Sequence, residues 1–397
     1  MTRAEKKGFH TVQETDMEDY RQKLREHRLK VFKRSLILIL IVIFTFLGIG
    51  LYMTLRQYTD FDVRSSIERS DAPSTQFEAF EGNILKYSKD GAVYTDCYNE
   101  LIWNQTFEMT NPRIDICENY LIIYDKGGTL LYIMTTEGVV GSIETTLPIL
   151  QGSVASQGTV AVLLDNHSTG QLVLYDVKGT ELASGAIHGE KGGYPIAIAL
   201  SHDAIKLAVS MLDISGGQAK TTVAFYNFGS VGENEIDHIV SVNAFEDMVV
   251  PELDFVSSDR LVAYGDTSLL IFEGTQKPKL VTEVPLETEV RSFFHNESYI
   301  GIIDGSSVEA DWMLKVYDMK GKLLFAEDLT IDYTGAEFLA NDDICIYNAN
   351  ACDFYTTKGV YKFHYEFENT LYKVLANSAH LDYTFVLDEV TEKVRLK

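Results

Sequence analysis

Trp103 and Trp312 are the two tryptophans of the chain, the side chains best suited to stack on a sugar ring or to anchor a partner. Trp103 lies in the alternating stretch Glu100-Leu101-Ile102-Trp103-Asn104, which points to a packed ring; Trp312, beside Asp311 after Gly305-Ser306-Ser307, is the better candidate for an exposed one. A second place that invites a partner is Phe225 to Asp237, a long polar interruption that holds Phe228, Glu233 and Glu235. Long loops on a rigid scaffold commonly bind. The same segment could instead cap its own surroundings through Tyr226 and Phe228. Phe228, Glu233, Glu235 and Trp312 form the candidate partner-binding set.

Other reactive residues point nowhere so specific. The acidic pairs Asp342-Asp343 and Glu246-Asp247 could hold calcium, yet neither has the alternating Asp spacing that wraps a loop around the ion. His167, His188, His202, His238, His295, His364 and His380 are isolated, none at metal-ligand spacing from another. The chain has no HExxH, GxSxG, Walker loop or GxGxxG. No catalytic, metal or cofactor residue is therefore assigned. Cys97, Cys117, Cys345 and Cys352 form no CxxC; a hairpin around Asn348-Ala349-Asn350 would bring Cys345 and Cys352 near each other, either as a bridge or as buried thiols.

The element that must position everything else is the apolar run Ser35 to Tyr52, with no charged residue between Arg34 and Arg56. About 20 helical residues cross the ~30 Å hydrocarbon core. Residues 1–34 carry ten Lys/Arg against six Asp/Glu, whereas residues 35–397 carry twenty-four against fifty-two. The positive-inside rule places the basic end in the cytoplasm and the remainder outside. Residues 16–34, acidic early and basic late, read as a juxtamembrane helix. No small-residue cleavage site follows the apolar run, so an uncleaved anchor is expected. An acidic exterior repels nucleic acid and anionic polymers and favours a protein or a neutral or cationic envelope ligand.

Residues 55–81 read as a linker, and from residue 82 short Val-, Ile-, Tyr- and Phe-rich runs alternate with Gly-containing turns. Apolar-aromatic pairs recur at Val93-Tyr94, Leu131-Tyr132, Leu174-Tyr175, Phe225-Tyr226, Ile271-Phe272, Val316-Tyr317 and Phe354-Tyr355, with Val394-Arg395-Leu396 as an eighth match. Their spacings of 38, 43, 51, 46, 45 and 38 residues, with about four strands in each unit, match the blade of a β-propeller. The expected organisation is a cytoplasmic tail (1–34), a transmembrane helix (35–54), a linker (55–81) and an all-β propeller of seven or eight blades (82–397). The first unit reads as one strand short and the last ends after three, so the ring is expected to close between the Asn83–Phe107 segment and Leu371–Lys397.

Ser201-His202-Asp203-Ala204-Ile205-Lys206-Leu207-Ala208-Val209 resembles the Ser-Pro-Asp-Gly-x-x-Leu-Ala hairpin of WD40-like and TolB-like propellers, with His202 in place of Pro and Ala204 in place of Gly. Asp90-Gly91 with Leu101 to Gln105, Asn111 to Cys117, the Phe225 to Asp237 segment and the terminal Val394 to Lys397 resemble a domain-of-unknown-function family of single-pass membrane proteins of Gram-positive anaerobes. The resemblance implies topology and fold and carries no functional residue. The expected activity is non-catalytic binding or scaffolding at the cell envelope, with a propeller enzyme acting on wall glycans or peptides as the alternative.

Overall fold

The structure, a computed structural model, describes residues 14–167, 169–187, 193–306, 311–377 and 381–397. It has two compact units, residues 1–56 and 57–397. In the first, one continuous helix, Glu14–Leu55, joins the expected juxtamembrane and membrane segments without a break. Within its stretch Tyr20–Gly50 an 18-residue window has a mean hydropathy of 2.2, and the helix has the length and composition to cross a bilayer. The hydroxyl of Thr45 donates to the Ile41 carbonyl at 2.8 Å, so the one side-chain donor in the middle of the apolar run is satisfied within the helix.

The second unit is a β-propeller of eight four-stranded antiparallel sheets. Blades 1 to 7 follow chain order over residues 76–106, 112–144, 149–187, 194–246, 252–285, 289–328 and 335–366. Blade 8 combines Leu371–Ala376, Asp382–Leu387 and Val390–Leu396 with Phe61–Glu68, which forms its outer strand. Every apolar-aromatic pair of the repeat falls on the third strand of its blade. In blades 3 to 7 the pairing of third and fourth strands slips by one residue at that pair, for example between Leu174 and Tyr175 or between Val316 and Tyr317. A bulge there adds the local twist an outer strand needs. The repeat thus marks a backbone irregularity as well as a packing position.

Two expectations are corrected. Residues 55–81, expected as a linker, contain the strands Phe61–Glu68 and Gln76–Phe80, the latter being the inner strand of blade 1. The ring accordingly closes through Phe61–Glu68 on Val390–Leu396, from Phe61 opposite Leu396 to Glu68 opposite Val390, and not through the Asn83–Phe107 segment. Arg69 fastens this closure: its guanidinium donates to the Leu387 carbonyl, pairs with Asp71 at 2.7 Å, and stacks over Phe77 at 4.5 Å and Tyr372 at 5.2 Å. Across the inner strands, the Lys373 ammonium bridges Glu78 at 2.6 Å and Glu337 at 2.8 Å, joining blades 8, 1 and 7. Burial works against the Lys373 charge, but the two carboxylates outweigh it and its pKa is raised.

Candidate functional site

Because alternate strand residues face opposite sides, each seam between blades is set by a few positions. Counted from the bulge, two outer-strand residues face the following blade. They are Trp103 and Gln105 in blade 1, Gly141 and Ile143 in blade 2, Ala183 and Gly185 in blade 3, and Ser241 and Asn243 in blade 4. Thr282 and Val284, Phe325 and Glu327, Phe363 and Tyr365, and Ser65 and Ile67 follow in blades 5 to 8. Ala183 and Gly185 are the smallest pair of the eight, and their seam does not close.

A cleft of about 800 Å³ opens there between blades 3 and 4. Leu172, Leu174, Ala183, Gly185 and Ile187 form one wall, and Thr222, Ala224, Tyr226, Val242 and Ala244 the other. A Cβ built on Gly185 would meet no atom within 4 Å. One end is bounded by the long connector of blade 4, whose two single-turn 3-10 helices, Gly232–Asn234 and Ile236–His238, stand where blades 3, 6 and 7 have tight glycine turns. Phe228, Asp237, His238 and Ile239 of this connector line the cleft. The Phe228 and His238 rings lie 6.2 Å apart, and Asp237 and His238 both adopt left-handed backbone, φ 54° and 59°. Asn227 ties the connector to blade 5 by donating to the Gln276 carbonyl at 2.9 Å.

The four candidate residues fall at two places. Phe228 is half-buried and lines the cleft, Glu233 is exposed on the first 3-10 turn, and Glu235 pairs with Lys277 at 2.5 Å. Trp312 sits apart in blade 6, half-buried, with the Arg291 guanidinium 5.1 Å above its ring and the Leu329 amide donating to its carbonyl. The other wall of the cleft escaped the sequence reading, because Glu181-Leu182-Ala183-Ser184-Gly185-Ala186-Ile187 looks like one more weak strand. Aligning the outer strands on the repeat, where Gly185 takes the place of Ile143, is the signal that reveals it.

A second, polar pocket of about 540 Å³ lies at one end of the ring's inner strands, lined by Asp115, Ser153, His202, Asp254, His295 and neighbours. Its groups serve the seams. Asp115 accepts the Val154 amide at 2.7 Å across blades 2 and 3, and burial pushes its carboxyl up to about 7. His202 meets the Phe255 carbonyl at 2.9 Å across blades 4 and 5, and His295 lies 3.4 Å from Asp254 across blades 5 and 6. Burial pulls the His295 imidazole down, but Asp254 outweighs it and the net shift is upward.

Asp343, expected as half of an acidic pair, is instead buried against Lys362 at 2.6 Å, and Glu246 pairs with Lys220 at 2.6 Å. No cluster of three or more metal-ligating side chains occurs among the described residues, and His188 and His380 lie outside them. Cys345 and Cys352 share one face of the blade 7 hairpin as free, fully buried thiols, whose pKa values burial raises.

Across residues 54–396 the sequence matches the family model described as a family of unknown function, DUF5711. The chain belongs to this family. The matched span takes in the closing strand Phe61–Glu68, so the family's unit is the whole closed ring. None of the curated protein sequences matches the chain. Among solved structures, it is similar to Sqt1 of Saccharomyces cerevisiae, with a TM-score of 0.52, 12% identity, and 87% of this chain and 100% of that one covered. It is similar also to BamB of Moraxella catarrhalis, with a TM-score of 0.49, 14% identity and coverage of 85% and 100%. At such identities the likeness is one of fold.

Proposed function

We propose that this DUF5711 chain is a non-catalytic binding or scaffold module, anchored in the cell membrane by its N-terminal helix with the propeller outside. The open seam between blades 3 and 4 carries the reading. A ring whose other outer pairs are larger leaves an apolar cleft at its rim, next to the long connector of blade 4. Pockets of this size with apolar walls and a few polar groups are the usual places where ligands and partners insert. The outward orientation is supported by the basic tail before the apolar run. The acidic balance of residues 35–397 favours a protein or a neutral or cationic envelope ligand over nucleic acid.

The test is site-specific photo-crosslinking in the full-length chain in its own membranes. A photoreactive side chain at Ala183 is expected to trap a discrete adduct that is lost when Gly185→Leu fills the cleft. The same probe at Leu324, exposed on the outer strand of blade 6, serves as the control. Absence of an adduct at Ala183, or equal adducts at both positions, would reject the cleft as the binding surface.

A further inference from the structure

Five consecutive residues of one strand, Ala183 to Ile187, line the cleft. Alternate residues of a strand point to opposite faces, so a cavity touching all five reaches the strand's backbone, beside its outer edge, as well as one face. That edge is open: Glu181–Ile187 is the outermost strand of blade 3, bonded on one side to Thr169–Tyr175 and on the other to no strand among the described residues. No Lys, Pro or inward-pointing charge guards residues 182–187, the usual protection of an exposed edge. Opposite it, Val242 is 58% exposed in the wall of blade 4. At about 3.3 Å per residue, five residues of edge match an extended segment of similar length.

The charges gathered at one end of the cleft, where the third strands of blades 3 and 4 turn into the fourth, are of one sign. Exposed Glu181 stands at the start of the edge, and Asp237 and exposed Glu233 stand at the connector, while Glu235 is compensated by Lys277. A second copy docking edge to edge in parallel would bring these carboxylates against their own kind, and in either direction it would join two chains of net charge −24. A segment with Lys or Arg at the end that meets them bears neither cost.

Resting on the cleft reading above, we infer that the partner is a protein whose extended segment, apolar at alternate positions and with Lys or Arg at the end that meets Glu181 and the connector, adds as a fifth strand to blade 3. Its backbone pairs with Glu181–Ile187, and its apolar row enters the space left by Ala183 and Gly185. In such strand addition the backbone supplies affinity and the alternate pockets supply selectivity.

The probe is a library of ten-residue synthetic peptides, Val, Ile or Leu at alternate positions and Lys at both ends, measured by fluorescence polarisation against the full-length chain in lipid nanodiscs. Peptides of this pattern are expected to bind, and scrambled peptides of equal composition are not. Methylating backbone nitrogens one at a time is expected to weaken binding about tenfold at every second position and about twofold or less between them, since only alternate amides of an added strand face the edge. Gly185→Leu should abolish binding, and Asp237→Asn should weaken it and flatten its salt dependence. A methylation scan without alternation, equal binding by scrambled peptides, or a chain dimer that the peptides dissolve would overturn the inference. A flat scan beside an intact Ala183 adduct rejects strand addition and keeps the cleft; loss of the adduct rejects the cleft itself.

Discussion

The seam between blades 2 and 3 and the seam between blades 3 and 4 are built by the same repeat and end differently. In the first, Ile143 is 5% exposed within a cluster that also holds Leu131, Ile133 and Val162. The turn of blade 3 drops onto the seam: a Cβ on Gly141 would lie 2.2 Å from the Val177 carbonyl oxygen. In the second, Leu163, Leu172, Leu207 and Val209 pack the inner part, but Ala183 and Gly185 leave the outer part open. Blade 4 also replaces the tight turn by its 3-10 connector, which bounds the space without filling it. A propeller can therefore spend one outer seam on binding while the inner strands hold the ring.

Emptying the closed seam should have the largest effect. Ile143→Gly removes a buried side chain whose neighbours belong to two blades and adds glycine's entropic cost within a strand, together about 3–5 kcal/mol. The check is the denaturant midpoint of the full-length chain followed by tryptophan fluorescence, with Trp103 in the preceding seam as a reporter. A loss under about 1 kcal/mol would show that the closed seam contributes little by its packing.

The seams differ also in how their inner ends are fastened. Blades 2 and 3 are joined by the half-buried carboxylate of Asp115 on the Val154 amide. Blades 3 and 4 are joined by neutral groups: the Gln151 side chain accepts from the Ile198 amide at 2.9 Å and donates to its carbonyl at 3.1 Å, and the Ser153 hydroxyl accepts from the Leu200 amide at 3.1 Å. Burial raises Asp115 from 3.8 to about 7, so the folded state favours the protonated acid. Its contribution is fully present below about pH 4 and declines as pH rises through the window up to about 7. Asp115→Asn keeps an oxygen for Val154 and removes the titration. The variant is expected to match the parent near pH 4 and to exceed it by about 1–3 kcal/mol at pH 8, in parallel denaturation series. A constant difference across pH would remove Asp115 as the titrating clamp. Gln151→Glu would introduce the same dependence into the neighbouring seam.

The membrane-length helix and the propeller were legible because each carries one plain signal: an uninterrupted apolar run, and an apolar-aromatic pair at the third strand of the first seven blades. The closing strand was not. Phe61–Glu68 lies at the outside of blade 8, where only a few positions need be apolar, so Phe-Asp-Val-Arg-Ser-Ser-Ile-Glu has the composition of a linker. Half of the candidate site was legible, through the connector with Phe228, because an insertion shows as a widened spacing. The other half was not, because Ala183 and Gly185 act by what they leave empty. Trp312, the better candidate for an exposed ring, is half-buried: a large ring after a polar turn looks available, and the guanidinium above it comes from Arg291, twenty-one residues earlier on another strand.

The smallest expected effect is the most diagnostic. The Cβ that Gly185→Leu adds has nothing within 4 Å, and the backbone there is not left-handed, so the substitution starts from open space and without backbone strain. Replacing glycine within a strand recovers conformational entropy, and the new side chain covers Leu172 and Val242, while the outer position leaves part of it in water. These contributions are small, and the stability of the chain should change by about 0.5 kcal/mol or less, in contrast with the loss at Ile143, the equivalent position one blade earlier. The measurement is again the denaturant midpoint, now beside the Ala183 cross-link. Unchanged stability with a lost adduct identifies the small side chains of blade 3 as kept for access. A gain above about 2 kcal/mol would mean that the open seam costs the fold heavily, and a loss above about 2 kcal/mol would mean that blades 3 and 4 already approach more closely than the cleft requires.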